Sequence, residues 1–317
     1  MDLIIPYLWL AAGLAALVFC GNWLVTGGVQ LAHHFKVSAL IVGLTIVAFG
    51  TSAPELFVSI EAAIKGSPDI ALGNVIGSNI ANIALVLGLT ALICPIPILN
   101  KSIGFDLVVM VAVTTLLFVL GYNGIFGLIE GICLTSILIV YTVWSIRKEK
   151  KKSAAKEMES ATIRPLISIL IVIASIAGLY FGSDWFIRGA RDIALQWGVS
   201  ERVIGLTIVA VGTSLPELMA SVIAAVRKEM DISIGNIIGS NIFNITMVLG
   251  VTSVIHPLKI TDQKMFTTDV LWAFGITIIM VLAMLPLSKG KISRWKGAVF
   301  LLLYVVYVFT LFRSGRV

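Results

Sequence analysis

The sequence predicts an all-α integral membrane protein: ten transmembrane helices in two inverted five-helix repeats, with broken helices in the second and seventh spans. Three observations lead there. Apolar runs of about 20 residues recur along the whole chain, the length a helix needs to cross a bilayer. Residues 38–88 align with 200–250 without a gap, at a constant offset of 162, and 30 of the 51 positions are identical. One long polar stretch, RKEKKKSAAKEMESATIR at 147–164, leaves five spans on either side.

The 317 residues are 58% hydrophobic and 13% charged, where a soluble domain carries about 25% charged residues. The net charge of +6 does not point to nucleic acid, because the basic residues lie between the apolar spans. No nucleophile–base pair or nucleotide-binding loop suggests an enzyme, and no cofactor is implied. Cys20, Cys94 and Cys133 lack metal-ligand spacing and read as buried or lipid-facing thiols. His33, His34 and His256 fall near span ends and read as interfacial.

The first span, 4–31, lacks a basic leader and a small-residue cleavage site, so it reads as a retained helix. The second, 39–64, contains GTSAPE, and the third, 71–93, contains GNVIGSNIAN. Spans at 103–121 and 125–146 complete the first repeat, 1–146. The linker 147–164 reads as solvated chain. Spans at 165–195, 201–226, 233–255, 267–286 and 295–312 form the second repeat, 165–317, with GTSLPE and GNIIGSNIFN in matching places.

The linker holds seven Lys or Arg, so the positive-inside rule makes it cytoplasmic. Alternation then puts 15 of the 23 basic residues inside and both termini outside. Five spans is an odd number, so the second repeat enters from the opposite face. Inverted repeats of this kind are a common plan of secondary transporters, with the binding site at the repeat interface near the midplane.

The second span cannot remain one helix. Pro54 has no N–H for the Gly50 carbonyl and its ring clashes there, and Ala53 is pushed away from helical angles. A break over 50–53 is expected, with carbonyls freed near Ala48 to Thr51 and a restart at Pro54. Glu55 follows at once. A carboxylate at membrane depth costs at least ~3 kcal/mol, and freed carbonyls there need protein, water or an ion. A cation answers both needs. Carbonyls, hydroxyls and carboxylates are hard oxygen ligands, suited to Na⁺, Ca²⁺ or Mg²⁺. In the following helix Asn74, Ser78 and Asn82 share one face at i, i+4, i+8, as do Asn236, Ser240 and Asn244. Gly73 and Gly77, and Gly235 and Gly239, form GxxxG steps that permit close backbone approach. Asn79 and Asn241, off that face, read as helix-joining. Asp184 and Arg188 read as an i,i+4 surface pair. Glu61, Asp106, Glu130 and Asp269 fall near span ends, where water is expected to reach them.

With GTSxPE and GNxIGSNIxN each present twice, the chain resembles the calcium/cation antiporter superfamily, in particular its prokaryotic sodium/calcium exchanger branch. The resemblance covers nearly the whole chain. It implies counter-transport of Na⁺ and Ca²⁺ by alternating access, with the first and sixth helices sliding across a rigid core. Carried onto this sequence, it implies Ca²⁺ ligands from Glu55, Glu217, Thr51 and Thr213. It adds Na⁺ ligands from the Ala48 and Ala210 carbonyls and the hydroxyls of Ser52, Ser214, Ser78 and Ser240. Asn82 and Asn244 would line the central position. Some relatives, including potassium-dependent ones, carry Asp where this chain has Asn244, so no potassium requirement is expected. The resemblance also favours 3:1 exchange in the direction of Ca²⁺ export, in the cell inner (plasma) membrane. The partners are then Na⁺, Ca²⁺ and the lipid bilayer, and a monomer is admitted. Exchange of H⁺ for Ca²⁺, transport of another divalent cation, and a cation channel are the rival readings.

Overall fold

The computed structural model describes residues 4–97, 103–153, 161–199, 212–284 and 291–313, without the side chains of 150–153, 264, 265, 312 and 313. The described residues are almost wholly helical. In chain order they form α1 (Ile5–Phe35), α2 (Ala39–Thr51), α3 (Ala53–Ile64), α4 (Pro68–Ile93), α5 (Ile103–Gly121), α6 (Leu128–Ser153) and α7 (Pro165–Gln196). Then follow α8 (Leu215–Val226), α9 (Met230–Ile255), α10 (Gln263–Met284) and α11 (Arg294–Arg313). Eight of these are long and apolar enough to cross a membrane, and α2 with α3 makes a ninth bent by 40°. The first part of the expected 201–226 span lies outside the described residues.

Prolines open α1, α3, α4, α7 and α8, where the first N–H groups have no intrahelical partner to lose. The break between α2 and α3, expected over 50–53, is shorter than expected. Only Ser52 leaves helical geometry (φ −85°, ψ 4°), and Ala53 already belongs to α3. Pro54 therefore sits in the first turn rather than at its start, which is equally free of N–H demand. Helix α6 runs to Ser153, seven residues into the expected linker, because Arg, Lys and Glu are good helix formers in water.

The layers follow from burial. The most apolar stretches of α4 and α9 are 72% and 89% buried, against 22–39% for the other long spans, so these two helices form the centre. Around them, α1, α6, α7 and α11 turn large apolar side chains outward. That is the arrangement expected of a bundle whose solvent is lipid. Backbone contact replaces side-chain packing at the critical crossings. A Cβ on Gly235 or Gly239 of α9 would lie 2.6–2.7 Å from the Leu40 or Leu44 carbonyl of α2. Helices α1 and α7 lie together along their length, with Gly13, Gly182 and Gly189 meeting the partner backbone. Such small-residue seams are how membrane helices gain packing energy without a hydrophobic drive between them.

The internal repeat is visible in the backbone. Ser52 and Ser214 share φ near −85° and ψ 4°. Gly66 and Lys228 end α3 and α8 in the left-handed region at 75° and 66°. Among the described residues three segments are π-helical: Gly43–Val47, Asn82–Leu87 and Asn244–Leu249, the last two being counterparts at the offset of 162. Short strands β1 (Ile96–Pro97) and β4 (Lys291–Ile292) pair antiparallel, as do β2 (Ile125–Phe126) and β3 (Leu258–Lys259). β1 and β3 are counterparts, as are β2 and β4, so each ladder joins unlike positions of the two repeats. The helix crossings exchange in the same way: Gly88 meets Gly297 and Gly250 meets Gly131, at backbone distance in both cases.

Two acids are not where they were expected. Asp106 is 5% exposed and accepts the Tyr141 hydroxyl at 2.9 Å, tying α5 to α6. Asp269, its counterpart in α10, is 7% exposed. Both sit on the inward side of their helices, so nearness to a span end does not give them to water. Asp184 pairs with Arg188 as expected, and Glu61 with Lys65 at the exposed end of α3.

Candidate functional site

The helix restarts deliver the two acids to the centre of the bundle. Glu55 and Glu217 each lie in the first turn of a helix that follows a break, and each is fully buried. An anionic side chain is favoured at a helix N-terminus, which partly offsets its burial. Across the repeats the motifs meet. Ser52 donates to Glu217 Oε1 at 3.3 Å. The two carboxylates are within electrostatic range of one another, and Ser78 faces Glu55.

Each glutamate is held from behind through its main chain. Asn74 donates from Nδ2 to the Glu55 carbonyl at 3.1 Å and to Ser59 Oγ at 2.9 Å. Asn236 does the same to the Glu217 carbonyl at 3.3 Å and Ser221 Oγ at 3.0 Å. So Asn74 and Asn236 use their amides to pin α3 to α4 and α8 to α9, although they share a face with Ser78, Asn82 and their counterparts. Asn236 does more: its Oδ1 accepts the Thr51 hydroxyl at 3.2 Å, and Thr51 also meets Ser240 Oγ at 3.4 Å. These contacts join the first break to α9. Ser59 and Ser221 are identical between the repeats, so their recurrence was a usable sign that they belong to the site's support.

The side chains facing the centre are under-satisfied. Both Glu55 carboxylate oxygens, Glu217 Oε2, Ser214 Oγ and the complete amides of Asn82 and Asn244 are buried without a hydrogen-bond partner among the described residues. Buried polar atoms normally have partners, and orphaned oxygens on elements packed around two neighbouring carboxylates are what a cation would satisfy. Asn82 and Asn244 each open a π-helical turn, a local distortion common at functional sites. The turn opened by Asn82 packs on α8, which carries Glu217. The one opened by Asn244 packs on α3, which carries Glu55. Asn79 leaves its Oδ1 without a described partner, whereas Asn241 bonds back to the Ile237 carbonyl.

The remaining expected ligands are distributed as follows. Thr51, Ser52, Ser78, Ser214 and Ser240 are buried, and Thr213 is half-buried at the second break. The Ala48 carbonyl, expected to be freed, accepts the Ser52 N–H at 3.0 Å and lies 3.5 Å from the Thr51 hydroxyl. The single-residue break leaves that bond intact. Ala210 lies outside the described residues. Sequence reasoning missed one contact at the second break: Ser183 of α7 donates to the Gly212 carbonyl at 2.6 Å. The donor is remote in sequence and in the other half of no motif, so no spacing announces it.

Comparison with known proteins matches this arrangement. The profile of the family described as sodium/calcium exchanger protein matches residues 5–147 and 167–313. An uncharacterized membrane protein of Methanocaldococcus jannaschii is 38% identical over 302 residues, covering 94% of this chain and 95% of that one. The sodium/calcium exchanger MaX1 of Methanosarcina acetivorans is 31% identical over 349 residues, covering 97% and 99%. Among solved structures, the sodium-calcium exchanger NCX_Mj superposes with a TM-score of 0.83 at 35% identity, covering 97% of this chain and 99% of its own. A doubled break with its two glutamates, on a multi-pass helical membrane fold matched over nearly its full length, makes this chain a member of the sodium/calcium exchanger family.

Proposed function

We propose that the chain is a secondary antiporter that moves Na⁺ against Ca²⁺ by alternating access, in a ten-span inverted-repeat fold. The halves are 1–146 and 165–317, joined by a cytoplasmic linker at 147–164, with both termini outside the inner (plasma) membrane. The observation that carries the reading is the pair of fully buried glutamates, within electrostatic range of each other, with carboxylate oxygens and the Asn82 and Asn244 amides left without partners among the described residues. The strand ladders support the alternation of spans, not which face is cytoplasmic. Each joins two loops that alternation assigns to the same side of the membrane.

Glu55, Glu217, Thr51 and Thr213 are the proposed Ca²⁺ ligands. Ser52, Ser214, Ser78 and Ser240, with the Ala48 and Ala210 carbonyls, are the proposed Na⁺ ligands, and Asn82 and Asn244 line the central position. Two carboxylates neutralise one divalent ion. Three Na⁺ leave one positive charge, so 3:1 exchange moves net charge. Each tenfold Na⁺ gradient supplies about 1.4 kcal/mol per ion, and the membrane potential adds about 2.3 kcal/mol per charge per 100 mV. Together these give 3:1 exchange roughly 6.5 kcal/mol, against roughly 2.8 kcal/mol for electroneutral 2:1. The larger figure suits Ca²⁺ export. With Asn rather than a carboxylate at 244, nothing there calls for K⁺ or a proton.

The test is ⁴⁵Ca²⁺ uptake by liposomes that contain the purified protein, loaded with Na⁺ and diluted into Na⁺-free, K⁺-free buffer at clamped pH. Uptake that disappears with the Na⁺ gradient is the expected result. Persistent uptake driven by a pH gradient alone would make the coupling ion H⁺, and currents far above carrier turnover would make the protein a channel.

A further inference from the structure

The second break has a contact that the first lacks. Pro216 offers no N–H, so the Gly212 carbonyl loses its intrahelical partner. It is satisfied instead by Ser183 of α7, at 2.6 Å and 6% exposure. In the first repeat the counterpart of Ser183 is Gly21, and the counterpart of Gly212 is Gly50. Glycine supplies no hydroxyl.

The two helices also lie differently on the core. Helix α7 crosses both breaks: a Cβ on Gly50 would strike Ile176, and one on Gly212 would strike Ile187. Helix α1 instead rests on α8, where a Cβ on Gly21 would strike Ile223 and come within 3.6 Å of the Met219 carbonyl. The α1–α7 pair is thus displaced to one side of the two-fold relation between the repeats. Exchanging the roles of the repeats describes the opposite access state. There α1 crosses both breaks, and Gly21 comes to Gly50 with nothing to donate. Ser183 moves against Phe57 and Glu61, the exposed counterparts of Met219 and Ile223.

Resting on the alternating-access reading above, we infer that Ser183 is a positioning residue that biases the access equilibrium toward the arrangement seen here. Its hydroxyl exchanges a buried bond to Gly212 for a solvated position when the pair slides, and no residue of α1 returns the favour. A buried hydrogen bond is stronger than a solvated one, and its loss leaves an orphaned carbonyl. Part of the bias therefore comes from one hydroxyl present in only one repeat, not from the ion ligands.

The experiment reads the two populations directly. Spin labels at Ile64→Cys, the exposed end of α3, and Trp197→Cys, the exposed end of α7, are introduced into full-length protein lacking native cysteines. Distance distributions are then recorded in ion-free liposomes. Two distances are expected, the major one matching this structure. Ser183→Ala shifts their ratio about fivefold toward the minor one, the equivalent of one neutral hydrogen bond, with both distances unchanged. Ser183→Gly, which copies Gly21, behaves alike and stands in should the alanine variant not fold. Ser183→Thr, which keeps the hydroxyl, retains the original ratio. An unchanged ratio in Ser183→Ala and Ser183→Gly, or a single distance in every variant, would overturn the inference. Na⁺-driven ⁴⁵Ca²⁺ uptake by the unlabelled wild type is measured alongside. Its absence would sink the exchange reading, while the distance ratio still decides the role of Ser183.

Discussion

Glu55 and Glu217 are tolerable where they lie only if something positive visits them. Each is fully buried, no Lys or Arg among the described residues pairs with either, and hydroxyls and amides lie around them. Removing one carboxylate takes a buried counter-charge from the ion, a loss of about 3–5 kcal/mol. Glu55→Gln or Glu217→Gln should therefore lower Ca²⁺ uptake by more than about a hundredfold, with an unchanged gel-filtration profile showing a folded protein. Wild-type uptake in either variant would remove the paired-carboxylate site. Asn244 should behave differently. Asn244→Asp adds a third acidic group beside Glu55 through the α3 contact, so the pH dependence of flux should change while Ca²⁺ still binds. Identical pH profiles would place Asn244 away from the transported ions.

At the level of helices, the site depends on how closely backbones approach. Gly239 leaves no room: a Cβ would lie 2.6 Å from the Leu44 carbonyl and 2.7 Å from the Ala48 side chain. Forcing such a contact costs about 1–3 kcal/mol. Gly239→Ala should lower the melting temperature in detergent and reduce flux, since α2 carries Thr51. A Cβ on Gly275 of α10 would meet no neighbouring atom within 4 Å among the described residues, so Gly275→Ala should leave the melting temperature equal or higher, as expected for alanine in a helix. A second element-scale device is the Tyr141–Asp106 bond between α5 and α6. Tyr141→Phe strands a buried carboxyl oxygen and should destabilise the fold by about 1–3 kcal/mol. The fall in melting temperature should come without a change in apparent Ca²⁺ affinity, because neither residue faces the glutamates.

For the whole molecule, orientation and symmetry are coupled. In the proposed ten-span fold, five spans per repeat would turn the second repeat over, and the exchanged pairing of β1 with β4 and β2 with β3 is what such a two-fold relation requires. If the linker is cytoplasmic, a single cysteine at Ser153 should react with a membrane-impermeant maleimide only in inverted vesicles. One at Ile4 should react only in intact, right-side-out cells or spheroplasts. The opposite pattern would reverse the topology and the direction assigned to transport. The α1–α7 pair is tied to the core by Ser183 to Gly212, and by Arg227 to the Asn22 carbonyl and Thr26. Neither link has a counterpart in the other repeat, where Lys65 pairs with Glu61 instead.

The repeat, the spans, the helix breaks and the two glutamates were legible in the sequence, because each depends on local chemistry. Twenty apolar residues suffice for a span, a proline removes one N–H wherever it falls, and identity at a fixed offset needs no coordinates. The ion pair of Asp184 with Arg188 was readable for the same reason. Tertiary structure alone decided the rest. It shortened the break to Ser52 and left the Ala48 carbonyl bonded. It buried Asp106 and Asp269 despite their place near span ends, and it turned Asn74 and Asn236 to the glutamate carbonyls. It also gave the Gly212 carbonyl to a serine on another helix. These outcomes depend on which neighbour supplies the partner for a buried polar group. In a bilayer, where water is not available to do so, that choice belongs to the packing of helices and not to the order of residues along the chain.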